Sequence, residues 1–268
     1  MNSTEIMGFA ASILIGVSLG LIGGGGSILT LPVLVYLLNI SPVISTAYSL
    51  FIVGTTSLVG SASFMRKKLV NYRAAFVFAI PSFTTVFLTR KYLVPAIPDP
   101  LIHLSGFEVS KNVGIMVFFA LIMLAASYSM IKSKKEEKEE NTGELKFNYI
   151  MIALEGGLVG ILTGIVGAGG GFLIIPALVL FARLPMKMAV GTSLLIIAAK
   201  SLIGFLGDLS NIHVDWTFLL PFTALSVVGI FLGTYLSKFI SGEKLKKSFG
   251  WFVLVMGIYI ITKEVFFK

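Results

Sequence analysis

Gly23-Gly24-Gly25-Gly26-Ser27, with Pro32 five residues on, and Gly167-Ala168-Gly169-Gly170-Gly171, with Pro176 five residues on, decide how this chain folds. The two runs stand 144 positions apart, about half of the 268 residues. Each interrupts a long apolar segment, where glycine weakens a helix and frees backbone polar groups. A broken helix at membrane depth persists only where its backbone is buried in protein or lines a cavity. The breaks therefore mark the candidate binding site.

The repeat extends outward from the runs. Gly16, Gly20, Gly23, Gly25, Gly26, Leu29, Pro32, Leu34 and Val35 each meet an identical residue 144 positions later. The match continues more weakly through Ser49-Leu50 with Ser193-Leu194, Ser57-Leu58 with Ser201-Leu202, Gly60 with Gly204 and Val70 with Val214. Apolar identities are cheap in such a chain, but glycine and proline coincidences point to a duplication.

Composition places the duplication in a bilayer. The chain is 56% hydrophobic and 13% charged, with a mean hydropathy of +0.95, outside the range of soluble domains. It has room for about seven to ten spanning or half-spanning segments. The net charge of +8 sits mainly in short loops between apolar runs, which fits a lipid partner and not a nucleic acid. With no cysteine, disulfides, thiolate metal sites and thiol relays are excluded. Only Glu5 precedes the first apolar stretch, and residues 16–35 pair with 160–179. The amino-terminal segment thus reads as part of the fold and not as a removable signal peptide.

Each half reads as one long broken segment and three ordinary helices, over 8–39, 43–64, 74–95 and 112–131, then 148–182, 187–208, 216–240 and 247–266. Residues 1–131 form the first repeat, 132–147 a charged cytoplasmic linker and 148–268 the second repeat. The stretch from Tyr92 to Lys111, with Pro95, Pro98 and Pro100, reads as an extended loop. Charge selects the topology. If each broken segment is a hairpin, one side collects Arg66, Lys67, Lys68, Arg73, Lys132, Lys134, Lys135, Lys138, Lys146, Arg183, Lys187, Lys238, Lys244, Lys246 and Lys247. The other keeps Arg90, Lys91, Lys111, Lys263 and Lys268. That asymmetry obeys the positive-inside rule; single crossings split the charge almost evenly. The expected fold is an all-α polytopic membrane protein of two inverted repeats, each opening with a glycine-broken hairpin, with both termini extracytoplasmic. A parallel duplication is the alternative.

Half-helices of about 15 residues reach about 22 Å, which brings the glycine tips to or past the bilayer centre. The helices that restart there present N–H groups and a positive dipole end, an arrangement suited to an anion. Pro32 and Pro176 free a carbonyl and permit a bend in the returning arms. Glycine also serves close packing, and Gly16-x-x-x-Gly20, Gly160-x-x-x-Gly164 and Gly229-x-x-x-Gly233 read that way. Neither run precedes Gly-Lys-Ser/Thr, so a nucleotide loop is a poor reading.

The second helix of each half supplies a polar face: Ser49, Thr56 and Ser57, matched by Ser193, Lys200 and Ser201, with Thr192 adjoining. Lys200 lies about 12 residues from either helix end, too deep to snorkel, so it needs a wet cavity, a bound anion or a carboxylate such as Asp208 or Glu155. Asp208, His213 and Asp215 cluster on the sixth-to-seventh connection. With Glu155 they are candidates for coupling or gating, while Asp208 and Asp215 read equally as helix caps. Trp216 and Trp251 read as interface anchors.

The paired Gly-x-Gly-Gly-x-x-Leu-x-x-Pro pattern at Gly23–Pro32 and Gly167–Pro176 resembles the TauE/SafE sulfite-exporter family, and Ala189–Leu194 (Ala-Val-Gly-Thr-Ser-Leu) is similar to its second-repeat helix. The first half has Ala47-Tyr48-Ser49-Leu50 at the matching place. The resemblance implies transport of sulfite or organosulfonates, and some relatives are associated with carboxylates. The residues lead to a secondary transporter with a midplane anion site and alternating access, driven by a gradient, by proton coupling or by an unseen partner, with no cofactor and no metal. A passive anion channel and a transporter of small carboxylates stay open, as does a homo-oligomer. An intramembrane enzyme would need clustered catalytic groups, whereas Lys200, Glu155, Asp208 and His213 are spread along the chain.

Overall fold

The computed structural model describes residues 3–104, 107–132, 149–166, 171–180, 182, 184–209 and 212–266. Gly167, Ala168, Gly169 and Gly170, with the linker from 133 on, lie outside these residues, as does the side chain of Ser27.

The first broken segment is a hairpin. Helix α1 (Ser3–Ile22) ends at Gly23, and α2 (Gly25–Pro32) runs on into a π-turn at Val33–Leu37. A Cβ on Gly26 would collide with the Leu19 side chain, and one on Gly8 would lie 2.6 Å from Leu38 Cδ2. The returning arm therefore packs back along α1 from tip to base. At 20 residues, α1 rises about 30 Å, longer than the arm expected from sequence. The second segment consists of α7 (Tyr149–Val166) and α8 (Gly171–Leu180).

The prolines act where the bend was expected. Pro32 has no N–H to give its own turn, and the helix widens after it: Leu38 N donates to Val33 O and Ile40 N to Leu34 O. The second arm repeats this 144 positions on, with Ala182 N to Ala177 O and Leu184 N to Leu178 O.

The remaining helices are α3 (Pro42–Arg66), α4 (Tyr72–Leu88), α6 (Lys111–Lys132), α9 (Met186–Asp208), α10 (Trp216–Leu236) and α11 (Gly242–Phe266). Among the described residues, six helices are long and apolar enough to cross a membrane: α3, α4 with its extension to Ala96, α6, α9, α10 and α11. The membrane-length elements are all helices, a multi-pass architecture. The loop expected from Tyr92 onward needs correcting. A π-turn at Thr89–Leu93 carries α4 into a short α5 (Val94–Ala96), and β1 (Ile102–Leu104) pairs antiparallel with β2 (Phe107–Val109).

The three small-x-x-x-small motifs seat helices in pairs. Gly16 and Gly20 of α1 lie on the α10 backbone at Ser226 and Ile230, and Gly229 and Gly233 return the contact at Ile13 and Val17. Gly160 of α7 lies on α4 at Ser82, and Gly164 on the π-turn that follows it, at Thr89. The first helix of each half thus packs on the third span-forming element of the other. Between them α3 and α9 cross in opposite directions: Leu50 meets Gly204, Leu202 meets Gly54, and Phe64 meets Gly191.

Candidate anion site

Gly23 closes α1 in the left-handed region (φ +73°), its N–H donating to Leu19 O at 2.7 Å. Only glycine adopts this conformation without strain. A Cβ here would also lie 2.9 Å from Ser193 Oγ and 3.0 Å from Val190 Cα, so the first break is pressed against α9. Gly171, the first residue of α8, would place a Cβ 2.7 Å from Gly24 Cα and 2.6 Å from Ile197 Cδ1. The breaks of the two halves therefore touch. Gly24 is the N-cap of α2 and brings no side-chain acceptor to the first turn at Gly25 and Gly26, whose N–H groups lack intrahelical partners.

Beside this contact runs the α3–α9 crossing, with Thr56 and Lys200 near its centre. Several of its hydroxyls are bonded back into their own helix: Thr46 to Val43 O, Ser61 to Leu58 O and Ser193 to Val190 O. Thr192 Oγ1 accepts from Asn71 N at 2.9 Å and so ties α9 to the start of α4. Ser49, Thr56, Ser57 and Ser201 are fully buried, and their hydroxyls have no hydrogen-bond partner among the described residues. A buried hydroxyl without a partner loses about 1–3 kcal/mol relative to a bonded one. Three of them, Ser49, Thr56 and Ser57, lie on α3 and the fourth, Ser201, on α9. Ser82, Ser226 and Thr234 are also unpartnered but belong to the glycine-seated pairs.

Lys200 is completely buried, and its Nζ donates to Thr163 Oγ1 at 2.9 Å. It pairs with neither Asp208 nor Glu155, contrary to one sequence-level expectation. Thr163 lies three residues before the end of α7, so the ammonium is held close to the second break. Asp208 instead faces Arg90 across 3.5 Å, both side chains being nearly inaccessible. Nor is Asp208 an N-cap, since it is the last residue of α9. Asp215 does cap, accepting from Thr217 N and Phe218 N at the start of α10. The hydroxyl of Thr217 and the N–H of Phe218 hold its carboxyl below the usual range. His213 is exposed on the connection to α10, and Glu155 is half-buried on α7.

Three residues that matter here were missed in the sequence. Arg90 was counted only among the charges of the less basic side, but the π-turn keeps it inside the bundle. Thr163 is a lone hydroxyl in an apolar helix, and nothing in its spacing marks it. Glu264, buried in α11, accepts from Tyr36 OH at 2.8 Å and fastens the returning arm of the first hairpin.

The chain matches the family described as "Sulfite exporter TauE/SafE" over residues 8–260. A "Probable membrane transporter protein" of Xylella fastidiosa is 31% identical over 258 residues, covering 94% of this chain and 92% of the relative. "Probable membrane transporter protein YunE" of Bacillus subtilis is 25% identical over 281 residues, covering 97% and 100%. YjnA of the same organism, with the same description, is 26% identical over 257 residues, covering 92% and 96%. No solved structure matches the chain. A glycine-broken hairpin in the first half, six membrane-length helices among the described residues and a family match over nearly the whole chain agree: this is a membrane transporter of the TauE/SafE sulfite exporter family.

Proposed function

We propose that the protein is a secondary transporter of small sulfur-containing anions, sulfite or organosulfonates, bound between two inverted repeats. The observation that carries the reading is the contact of the two glycine breaks beside a crossing that holds Lys200 and four unpartnered hydroxyls. An oxyanion takes hydrogen bonds from hydroxyls, from restarting helix N-termini and from an ammonium. Ser49, Thr56, Ser57 and Ser201 act as neutral donors, Lys200 supplies charge, and the residues from Gly23 to Ser27 and from Gly167 to Gly171 supply backbone N–H groups. Thr192 ties α9 to the start of α4 beside them, and Ser193 lies against the first break.

Three features support inversion of residues 1–131 against 148–268. Equivalent helices α3 and α9 run antiparallel, and α1 on α10 mirrors α7 on α4. Lys67, Lys187 and Lys238, at the ends of three elements, also gather at one end of the bundle. That end is the cytoplasmic face of the cell membrane, with the 132–147 linker on it and both termini outside.

Alternating access then proceeds between bodies that mix the two halves, because α1 is seated on α10 and α7 on α4. Arg90 and Asp208 join first-half and second-half residues at the extracytoplasmic end of α9 and act as a gate there. Glu155, His213 and Asp215 are the further groups through which proton coupling would run.

The test is flux in proteoliposomes, comparing sulfite, small sulfonates, sulfate and carboxylates with and without a pH gradient. Saturable sulfite or sulfonate movement, lost in Lys200→Met, is the expected result. Saturable carboxylate movement alone would remove the substrate assignment. Unsaturable conductance indifferent to pH would make the protein a channel.

A further inference from the structure

A second cluster of positive charge lies away from the α3–α9 crossing. Lys67 follows the last residue of α3, Lys187 is the second residue of α9, and Lys238 stands in the 3-10 turn Ser237–Phe239 that ends α10. All three line one cavity of about 70 Å³, together with Leu21 and Val190. A cavity needs only about 10–15 Å³ to hold one water, so this one takes several waters or a small oxyanion.

The trio is poorly compensated. Among the described residues, no carboxylate lines the cavity. Glu243, in the first turn of α11, is already paired with Lys247 at 3.3 Å. Lys187 sits in the first turn of α9, where the helix dipole disfavours a cation. The N-cap there is Pro185, which offers no side-chain acceptor. Partial burial, and then the charges of Lys238 and Lys187, push the Lys67 ammonium below the usual lysine range. Aromatic faces support two of the ammoniums, Phe64 under Lys67 at 5.4 Å and Tyr235 under Lys238 at 5.3 Å. Three like charges around a partly open cavity, with an adjacent helix N-terminus, favour an anion with more than one negative charge.

The cavity also leads somewhere. Leu21 is two residues from the first glycine break, and Val190 Cα lies 3.0 Å from where a Cβ on Gly23 would be. Its inner wall is therefore the outer side of the break that touches Gly171.

We propose that Lys67, Lys187 and Lys238 form a second anion site, which collects a compact oxyanion at the lysine-bearing end of the bundle and passes it to the glycine breaks. The collecting role rests on the transporter reading above; the site itself does not. An aqueous oxyanion and a lipid phosphate share the recognising chemistry, and the depth of the cavity beside Gly23 favours the aqueous one.

The experiment is amine footprinting of the full chain in nanodiscs of phosphatidylcholine alone. Acetylation of each lysine is read by mass spectrometry while sulfate is titrated in at constant ionic strength. Saturable protection of Lys67, Lys187 and Lys238, but not of Lys244 or Lys247, is expected, and Lys187→Gln should abolish protection of the other two. In proteoliposomes, the triple Gln variant should raise the KM for sulfite presented at that end by about tenfold and leave the KM at the other end alone. Absence of protection by sulfate overturns the site. Protection by phosphatidylglycerol that sulfate does not compete away assigns the lysines to a lipid headgroup and overturns the collecting role. If the wild type carries no sulfur anion, the footprint still decides the site, so the two failures are distinguishable.

Discussion

Gly156 and Gly157 are neighbours in α7, yet alanine at the two positions should have different consequences. A Cβ on Gly156 would collide with the carbonyl oxygen of Phe78 and stand 3.2 Å from Phe78 Cα. Those are backbone atoms of α4 and cannot rotate aside. Relief requires α7 to lift from α4 by on the order of 1 Å, which loses contacts along the whole interface. A Cβ on Gly157 would meet only Pro81 Cβ and Thr85 Cγ2, both at 4.0 Å, an ordinary contact. Both substitutions gain the same helix propensity, about 1 kcal/mol, so it cancels in the comparison. What remains is the overpacking term, about 1–3 kcal/mol, and Gly156→Ala should be the less stable variant by that amount. Reversible unfolding in mixed micelles, with both variants in one lipid composition, measures the difference directly. A Gly156→Ala protein as stable as Gly157→Ala would refute the seating of α7 on α4, and with it the exchange of helices between the halves.

Gly23→Ala should destabilise by about 2–4 kcal/mol, combining the left-handed backbone term with crowding against Ser193 and Val190; unchanged thermal stability would contradict the tip geometry. Arg90→Met should lose about 3–5 kcal/mol by leaving the buried Asp208 carboxylate unpaired, and adding Asp208→Leu should restore most of it, as read by the same unfolding assay. Asp215→Ala should lower the melting temperature near neutral pH. Its carboxyl is depressed in the folded state, so the stabilisation is fully present above the unfolded aspartate range and vanishes as pH falls through the folded value. A pH-independent gap between Asp215→Ala and wild type would rule this cap out as the cause.

Much of the fold was legible because glycine and proline are backbone statements. The pairs Gly23/Gly167 and Pro32/Pro176 mark places where a helix stops or widens, and the i−5 and i−6 hydrogen bonds after Pro32 recur after Pro176. Small-residue spacing was equally readable, since Gly16, Gly160 and Gly229 each remove the side chain that would keep two helices apart. Partner choice was not. Lys200 was expected to face a wet cavity, a bound anion or a carboxylate, and its one recorded hydrogen bond goes to a threonine. Asp208 was read beside its sequence neighbours His213 and Asp215, whereas its partner, Arg90, comes from the other half. Sequence order carries no information on such pairs when helices of the two halves interleave.

Two of the departures from the repeat fall on one polar contact. Lys200 corresponds to Thr56, and its acceptor Thr163 corresponds to Leu19. Both members of the Lys200–Thr163 pair are thus absent from the first half, whose equivalent positions cannot form it. By contrast Ser49/Ser193 and Ser57/Ser201 are kept. A repeated scaffold therefore carries repeated hydroxyls and a single charge. Lys200 and Thr163 both belong to the second half, on α9 and α7, while Arg90 and Asp208 join α4's extension to α9 across the halves. Because α7 is seated on α4, any motion of that pair against α9 acts on both contacts at once.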